Sequence, residues 1–247
     1  MLIVANWKAY VETMEKAKRL LSVAKRLSMA GHHEIVIAPS APHLGYLAGG
    51  NRTSVEFAAQ DVSQTLGGAA TGEVTAGLLA DLGVSYVIVG HSERRAAGET
   101  DAIVLEKTRH ALAHGLIPIL CIGERERDAE AAYITHLRTQ LSSVLSVLSQ
   151  KERMRMVIAY EPIWAIGKSA AESITSADLT EMVLYIRKIL GEFLPGKGNL
   201  KVRILYGGSV ESANARTLAA SSGIDGFLIG HASVDAASFG AIAKAVS

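Results

Sequence analysis

The sequence predicts an α/β fold, a single-domain (β/α)8 barrel in which eight parallel strands alternate with helices. Eight short apolar runs recur along the chain, and none of them alternates between apolar and polar residues. Such runs are typical of strands that are buried on both faces of a parallel sheet. The predicted strands are Leu2–Ala5, Glu34–Ala38, Val55–Ala59, Tyr86–Val89, Ile117–Ile122, Met156–Tyr160, Val202–Tyr206 and Gly226–Ile229.

Amphipathic stretches separate these runs, so βαβ units continue throughout the chain. An open doubly wound sheet shares this alternation, and periodicity alone does not distinguish it from a closed barrel. The strand count favours closure, as do the polar or glycine-rich positions after the strands, because a barrel gathers its site at the carboxyl ends of its strands. The predicted helices include Val11–Met29, Asp101–His114, Ala129–Leu148 and Ser176–Leu190, and the positions after strands are Asn6, Lys8, Gln60, His91, Glu124, Glu161, Gly207–Ser209 and Gly230.

Composition restricts the class of protein. The 247 residues are near the usual length of one (β/α)8 barrel and contain no obvious linker, so we predict one catalytic domain over residues 1–247. The formal net charge of +1 gives no electrostatic reason to expect a nucleic acid or an anionic membrane as partner. The single cysteine, Cys121, fits a reducing compartment, and the amino-terminal apolar run is too short for a signal peptide. We therefore expect a soluble, cytoplasmic protein.

Glu161 is the first candidate for a catalytic residue. It ends a buried apolar run, and Pro162 and large apolar residues follow it. A lone glutamate in this place is usually a strand-end ion-pair partner, but apolar shielding can also raise the basicity of a carboxylate. The segment from Ile163 to about Ala171, with small or stiff residues at its ends, has the composition of a lid.

His91 and Lys8 also follow predicted strands. His91 precedes Ser92–Arg95, a plausible first helical turn, and the positive end of a helix disfavours protonation of a neighbouring imidazole. A buried structural histidine is the more common reading of His91 alone, and a charge on the barrel rim is the common reading of Lys8. Lys8 can equally direct its ammonium group into the barrel mouth.

Two glycine turns follow the last two strands, at Gly207–Ser209 and at Gly230. Glycine lets backbone N–H groups approach an anion, and the loops after strands seven and eight of a barrel frequently form a phosphate site. Each turn is a weak signal by itself, because tight turns between strand and helix need glycine in any case.

Taken in order, the motifs resemble the triosephosphate isomerase family over essentially the whole chain. Four segments carry the resemblance: Asn-x-Lys after strand one, Gly-His-Ser-Glu-Arg-Arg after strand four, Tyr-Glu-Pro-Ile-Trp-Ala-Ile-Gly after strand six, and Tyr-Gly-Gly-Ser-Val after strand seven. Gln60, Thr71-Gly-Glu73 and Cys121-Ile-Gly-Glu124 fit as well. The resemblance implies a TIM barrel and an isomerase of glycolysis and gluconeogenesis that acts on a small phosphorylated sugar.

The resemblance also implies roles. Glu161 would be the base that moves a proton between two carbons through an enediolate, and His91 would be the neutral electrophile that polarises the carbonyl. Lys8 would supply positive charge, Asn6 would hydrogen-bond the substrate, and Glu93 would support Lys8 and His91. Backbone amides would bind the phosphate group, at Gly167, Ser209, Gly230 and His231, together with the side chains of Asn6 and Lys8. The chemistry would need neither a metal nor an organic cofactor.

The chain departs from the family pattern at several places. His231 stands where the family usually has a second glycine, and the connection after Gly167 is longer and lacks the glycine at the lid tip. If the His231 imidazole points away from the phosphate, only its amide matters, and this alternative is favoured. Otherwise the ring adds a hydrogen-bond donor. Ala96-Ala97 and Ala9-Tyr10 lie where family members form their dimer.

We expect interconversion of dihydroxyacetone phosphate and glyceraldehyde 3-phosphate. The alternatives are an isomerase of a larger phosphorylated ketose, such as a tetrulose phosphate, and a barrel that binds a phosphorylated ligand without turnover. The polar, glycine-rich excursion from Gln60 to Gly77 has little apolar content of its own. By resemblance it would reach a partner subunit and bring Thr71 near the partner's Asn6 and Lys8, which implies a homodimer.

Overall fold

The structure is a computed structural model, and it describes residues 1–128, 131–168, 173–221 and 223–247. It confirms the predicted (β/α)8 barrel. Eight parallel strands pair in chain order, and the last strand pairs with the first to close the barrel. The strands are β1 Leu2–Asn6, β2 Glu34–Ala38, β3 Glu56–Ala59, β4 Tyr86–Val89, β5 Ile117–Ile122, β6 Val157–Tyr160, β7 Arg203–Tyr206 and β8 Gly226–Ile229.

The helices of the described residues lie outside the strands. They are α1 Met14–Met29, α2 Ala41–Ala48, α3 Ala76–Asp81, α4 Ser92–Ala96, α5 Asp101–Ala113, α6 Ala132–Leu145, α7 Gln150–Arg153, α8 Ser176–Phe193, α9 Ser212–Ser221 and α10 Ala236–Ala245. None of the helices in this described part of the chain is both long and apolar enough to cross a membrane.

Element boundaries differ from the predicted ones by a few residues, and capping explains the clearest case. Helix α1 begins at Met14 rather than at Val11, because the extended residue Thr13 caps it and accepts a hydrogen bond from Lys16 N at 3.3 Å. Helix α6 is shorter at both ends than the predicted Ala129–Leu148, although residues 129 and 130 lie outside the described ranges.

Every strand contributes side chains to two separate apolar clusters, which explains why the runs do not alternate. Side chains such as Val4, Ile88 and Leu228 fill the barrel interior, whereas Ile3 and Val87 pack outward against the helices. Because both faces are buried, charged residues are excluded from the middle of each strand. Glu34, Glu56 and Arg203 stand at the first positions of their strands, and the predicted site residues stand at the opposite ends, where a barrel gathers its site.

Closure of the barrel requires a close backbone contact between β8 and β1. Gly226 pairs with Leu2, and a Cβ atom added at Gly226 would lie 1.8 Å from the carbonyl oxygen of Leu2. A side chain at this position therefore separates the two strands. Only glycine fits at position 226, because the two strands lie too close together for a side chain.

We expect Gly226→Ala to destabilise the protein by at least about 3 kcal/mol, since the backbone must shift to admit the methyl group. Gly240→Ala is the matched control: Gly240 lies within α10, and an added Cβ meets no heavy atom within 4 Å. This control should gain about 0.5–1 kcal/mol, because alanine is favoured over glycine inside a helix. Urea denaturation of both variants measures the difference, and equal stabilities would refute the closure argument.

Candidate active site

The carboxyl ends of the strands surround a cavity of about 530 Å³. The structure brings most of the predicted site residues together around it. Glu93 does not line the cavity but contacts two residues that do. The predicted residues in the cavity wall are Asn6, Lys8, His91, Glu161, Gly167, Ser209, Gly230 and His231.

Glu161 is buried directly after β6, with only 2 % of its surface exposed. The carboxylate oxygen Oε2 accepts a hydrogen bond from Ser92 N at 3.0 Å, and Oε1 lies 3.2 Å from His91 Nε2. Ser92 opens α4, so the carboxylate also meets the positive end of that helix. These donors compensate for the burial of the carboxylate, as buried polar groups require.

Glu161 lies against two glycines, which leave room for it, and against a cysteine. A Cβ atom at Gly207 would lie 2.9 Å from Glu161 Cγ, and one at Gly123 would lie 1.8 Å from the Glu161 carbonyl oxygen. Burial and the neighbouring charge of Glu161 raise the pKa of the Cys121 thiol well above its ordinary value. The thiol therefore stays protonated and adds no negative charge beside Glu161.

His91 is the N-cap of α4, and its two ring nitrogens have different partners. Nδ1 accepts a hydrogen bond from Glu93 N at 3.2 Å, so this nitrogen carries no proton. The ring hydrogen is therefore on Nε2, which lies 3.2 Å from Glu161 Oε1. This arrangement is that of a neutral imidazole with its hydrogen on Nε2. The predicted first helical turn after His91 is confirmed as α4.

Lys8 lies in the turn after β1 with a φ of 46°, a conformation that is costly for a residue with a side chain. Asn6 Oδ1 accepts from Lys8 N at 3.1 Å, and Gln60 Nε2 donates to Lys8 O at 2.9 Å. The Lys8 Nζ atom lies 2.6 Å from Glu93 Oε1. Neighbouring side chains thus hold a strained residue in place and direct its ammonium group toward the cavity.

The glycine turns also line the cavity. Gly167 has a φ of +74°, and Gly208 has no room for a side chain, since a Cβ atom there would lie 2.2 Å from the Tyr206 hydroxyl. The turn after β8 does not need a glycine at position 231. His231 opens a 3-10 turn over His231–Val234, and in the described part of the chain the residues other than glycine with positive φ are Lys8 and Ala131. The backbone therefore accepts a histidine at this position without strain.

Glu124 anchors the beginning of the predicted lid. It is buried after β5, and its Oε1 accepts from the Tyr160 hydroxyl at 2.8 Å and from Trp164 Nε1 at 2.9 Å. Its carbonyl oxygen accepts from Ile163 N at 2.9 Å. The Arg127 guanidinium lies 5.1 Å from the centre of the Trp164 ring. The predicted lid reaches residues 169–171, which lie outside the described residues.

Comparisons with known proteins agree with this geometry. The sequence model of the family described as triosephosphate isomerase matches residues 1–246. The chain belongs to the triosephosphate isomerase family.

Curated relatives match over nearly their full length. A triosephosphate isomerase of Symbiobacterium thermophilum is 41 % identical over 100 % of this chain and 96 % of its own. A triosephosphate isomerase of Moorella thermoacetica is 41 % identical over 98 % of this chain and 96 % of its own. One from Alcanivorax borkumensis is 43 % identical over 99 % and 97 % of the two chains.

The sequence does not predict three features of this site. Tyr10 and Lys168 line the cavity, although neither is among the predicted site residues. The Tyr10 ring also meets the His231 ring edge-on. The link from Trp164 to Glu124 was missed as well. The sequence does carry a signal for the ring contact. Tyr10 and His231 both depart from the family pattern, and they follow strands that are neighbours in a closed barrel.

We expect His91 to be a neutral imidazole with its proton on Nε2 at pH 7, because Nδ1 is an acceptor in the structure. Nitrogen-15 NMR of labelled imidazoles distinguishes this tautomer from the alternative and from the cation. The spectrum of His91→Gln assigns the resonance, and the exposed His32 serves as an internal reference. A cationic or Nδ1-protonated His91 at pH 7 would contradict the geometry.

Proposed function

We propose that the protein is a triose-phosphate isomerase that interconverts dihydroxyacetone phosphate and glyceraldehyde 3-phosphate through an enediolate, as one catalytic domain over residues 1–247. The observation that carries the proposal is the pairing of buried Glu161 with neutral His91 in a cavity that also holds Lys8. A carboxylate base beside an imidazole donor and an ammonium group is what proton abstraction next to a carbonyl requires.

Glu161 is the proposed base. In the structure its carboxylate binds His91 and the first turn of α4, so substrate binding must release it from these donors. Once released, the carboxylate takes the proton from one carbon and returns it to the neighbouring carbon. Its shielded position keeps water from competing for the proton.

His91 and Lys8 stabilise the charge that develops on the substrate oxygens. Once Glu161 is released, His91 donates its Nε2 hydrogen to the carbonyl oxygen of the substrate. His91 also relays the proton that passes from the hydroxyl oxygen on one carbon to the carbonyl oxygen on the other, so that hydroxyl and carbonyl exchange places. Lys8 adds a positive charge, Asn6 adds a hydrogen bond, and Glu93 holds the Lys8 ammonium group in position. These groups are fixed before substrate arrives, so little reorganisation is needed during the reaction.

The phosphate group is proposed to bind to the backbone amides of Gly167, Ser209, Gly230 and His231, with Lys8 as counter-charge. All four residues line the cavity. Closure of the segment that begins at Ile163 would then exclude water and protect the enediolate from loss of phosphate. The triose substrate is preferred to the larger ketose, because the relatives described above are all named triosephosphate isomerase.

We expect Glu161→Asp to lower kcat by about 100-fold or more, because the shorter side chain withdraws the carboxylate by about one ångström. KM should change much less. Glu181→Asp, on the exposed face of α8, makes the same chemical change away from the cavity and should leave kcat unaltered. A coupled assay in both directions measures this, and a Glu161→Asp variant with the kcat of the parent would remove Glu161 from the mechanism.

The homodimer and the cytoplasmic location are also proposals. The excursion between β3 and α3 exposes Leu66 to 68 % and borders a second cavity of about 510 Å³ that Ala97 and Gly98 help to line. An exposed apolar side chain beside an open cavity favours a partner surface. A two-fold dimer would bring Thr71 of one protomer near the partner's Asn6 and Lys8. The single, buried cysteine fits the reducing cytoplasm.

Light scattering should give about twice the chain mass of 26.1 kDa at micromolar concentration. Leu66→Asp should shift the protein toward monomer, because the charge would be buried in the proposed interface. Leu200→Asp is the matched control, since Leu200 is 65 % exposed in a turn remote from the excursion. A parent chain that is monomeric and fully active would overturn the dimer.

A further inference from the structure

Two aromatic side chains span the seam at which the barrel closes. Tyr10 follows β1 and His231 follows β8, and their ring centroids lie 5.3 Å apart with an interplanar angle of 78°. This is the edge-to-face geometry that aromatic pairs favour. Both side chains line the cavity that holds Glu161.

Each of the two loops carries part of the proposed phosphate site. The loop after β1 carries Lys8, and the loop after β8 carries the amides of Gly230 and His231. The two loops already meet, because a Cβ atom added at Gly230 would lie 3.4 Å from Lys8 Cε. A change in the distance between the loops would therefore move the Lys8 ammonium group relative to the amides.

Because the Lys8 backbone is strained, the distance between the two loops depends on the contacts that hold Lys8 in place. The hydrogen bonds described above hold Lys8 from β1 itself, from Gln60 and from α4. Toward the β8 loop, the Ser233 hydroxyl lies 3.5 Å from Asn6 O, at the limit for a hydrogen bond. This long hydrogen bond is too weak to hold the two loops together. The contact between the Tyr10 and His231 rings holds them instead.

We propose that Tyr10 and His231 are a positioning pair that fixes the Lys8 loop against the Gly230 loop and thereby strengthens phosphate binding. The His231 ring is engaged by Tyr10, and its backbone amide remains available to the phosphate group. Neither ring takes part in proton transfer. The substrate named in this proposal rests on the proposed function, whereas the effect on inorganic phosphate does not.

A double-mutant cycle tests the pair, with Tyr10→Ala, His231→Gly and the double variant. Tyr10 is about half exposed, so its loss should not unfold the protein, and thermal unfolding checks this. Each single variant should raise the KM for triose phosphate, and the calorimetric Kd for inorganic phosphate, by about threefold to tenfold. The double variant should be no weaker than the weaker single variant, because either substitution removes the whole contact. The kcat should change by less than about twofold, since the proton-transfer groups are untouched.

Variants that keep an aromatic ring distinguish the ring contact from any other role of the Tyr10 or His231 side chain. Tyr10→Phe and His231→Phe keep an aromatic ring on each side and should bind phosphate within about twofold of the parent. Strictly additive effects in the cycle would overturn the pair. Weak binding by His231→Phe, as weak as that of His231→Gly, would also overturn it, because the imidazole itself would then contact the phosphate.

The cycle also keeps the two proposals distinguishable. A parent protein that binds phosphate but does not turn over triose phosphate would refute the proposed function, and the cycle on inorganic phosphate would still test the pair. Normal turnover with phosphate affinities that no variant changes would refute the pair alone.

Discussion

Strand β1 pairs with β8 from Leu2 to Ala5, and this pairing brings the first and last loops of the chain to one side of the cavity. Lys8 and Gly230 are 222 positions apart in sequence, yet the lysine side chain packs beside the glycine. Without closure, the proposed cation and the proposed amides would lie on opposite edges of an open sheet. The close approach of Gly226 to Leu2 is therefore a condition for the site as well as for the fold.

In the described part of the chain, the two buried carboxylates at the barrel mouth both face donors from another strand end. Glu161 after β6 faces His91 and Ser92 after β4, and Glu124 after β5 faces Tyr160 and Trp164. The first arrangement holds the proposed base in the cavity wall. The second ties the start of the predicted lid to Glu124, which does not line the cavity. Similar chemistry thus fits a proposed catalytic role for one carboxylate and an anchoring role for the other.

The sequence alone predicts all eight strands, because burial on both faces leaves short, non-alternating apolar runs that recur along the whole chain. It also predicts which polar residues gather, since parallel strands place their carboxyl ends together. It does not predict contacts that depend on the offset between neighbouring strands. The space around Glu161 that Gly123 and Gly207 provide is such a contact, and so is the meeting of the Tyr10 and His231 rings.

The turn after β8, which we propose to bind phosphate, accommodates a histidine at the position where the family pattern has a glycine. The backbone there forms a 3-10 turn with an ordinary φ, so a side chain costs no strain, and the amide is kept. Strain is instead placed at Lys8, where hydrogen bonds from three directions offset it. A side chain at 231 that reaches across the seam can then add to that restraint. The histidine therefore changes how the turn is held while leaving unchanged the atoms that would bind phosphate.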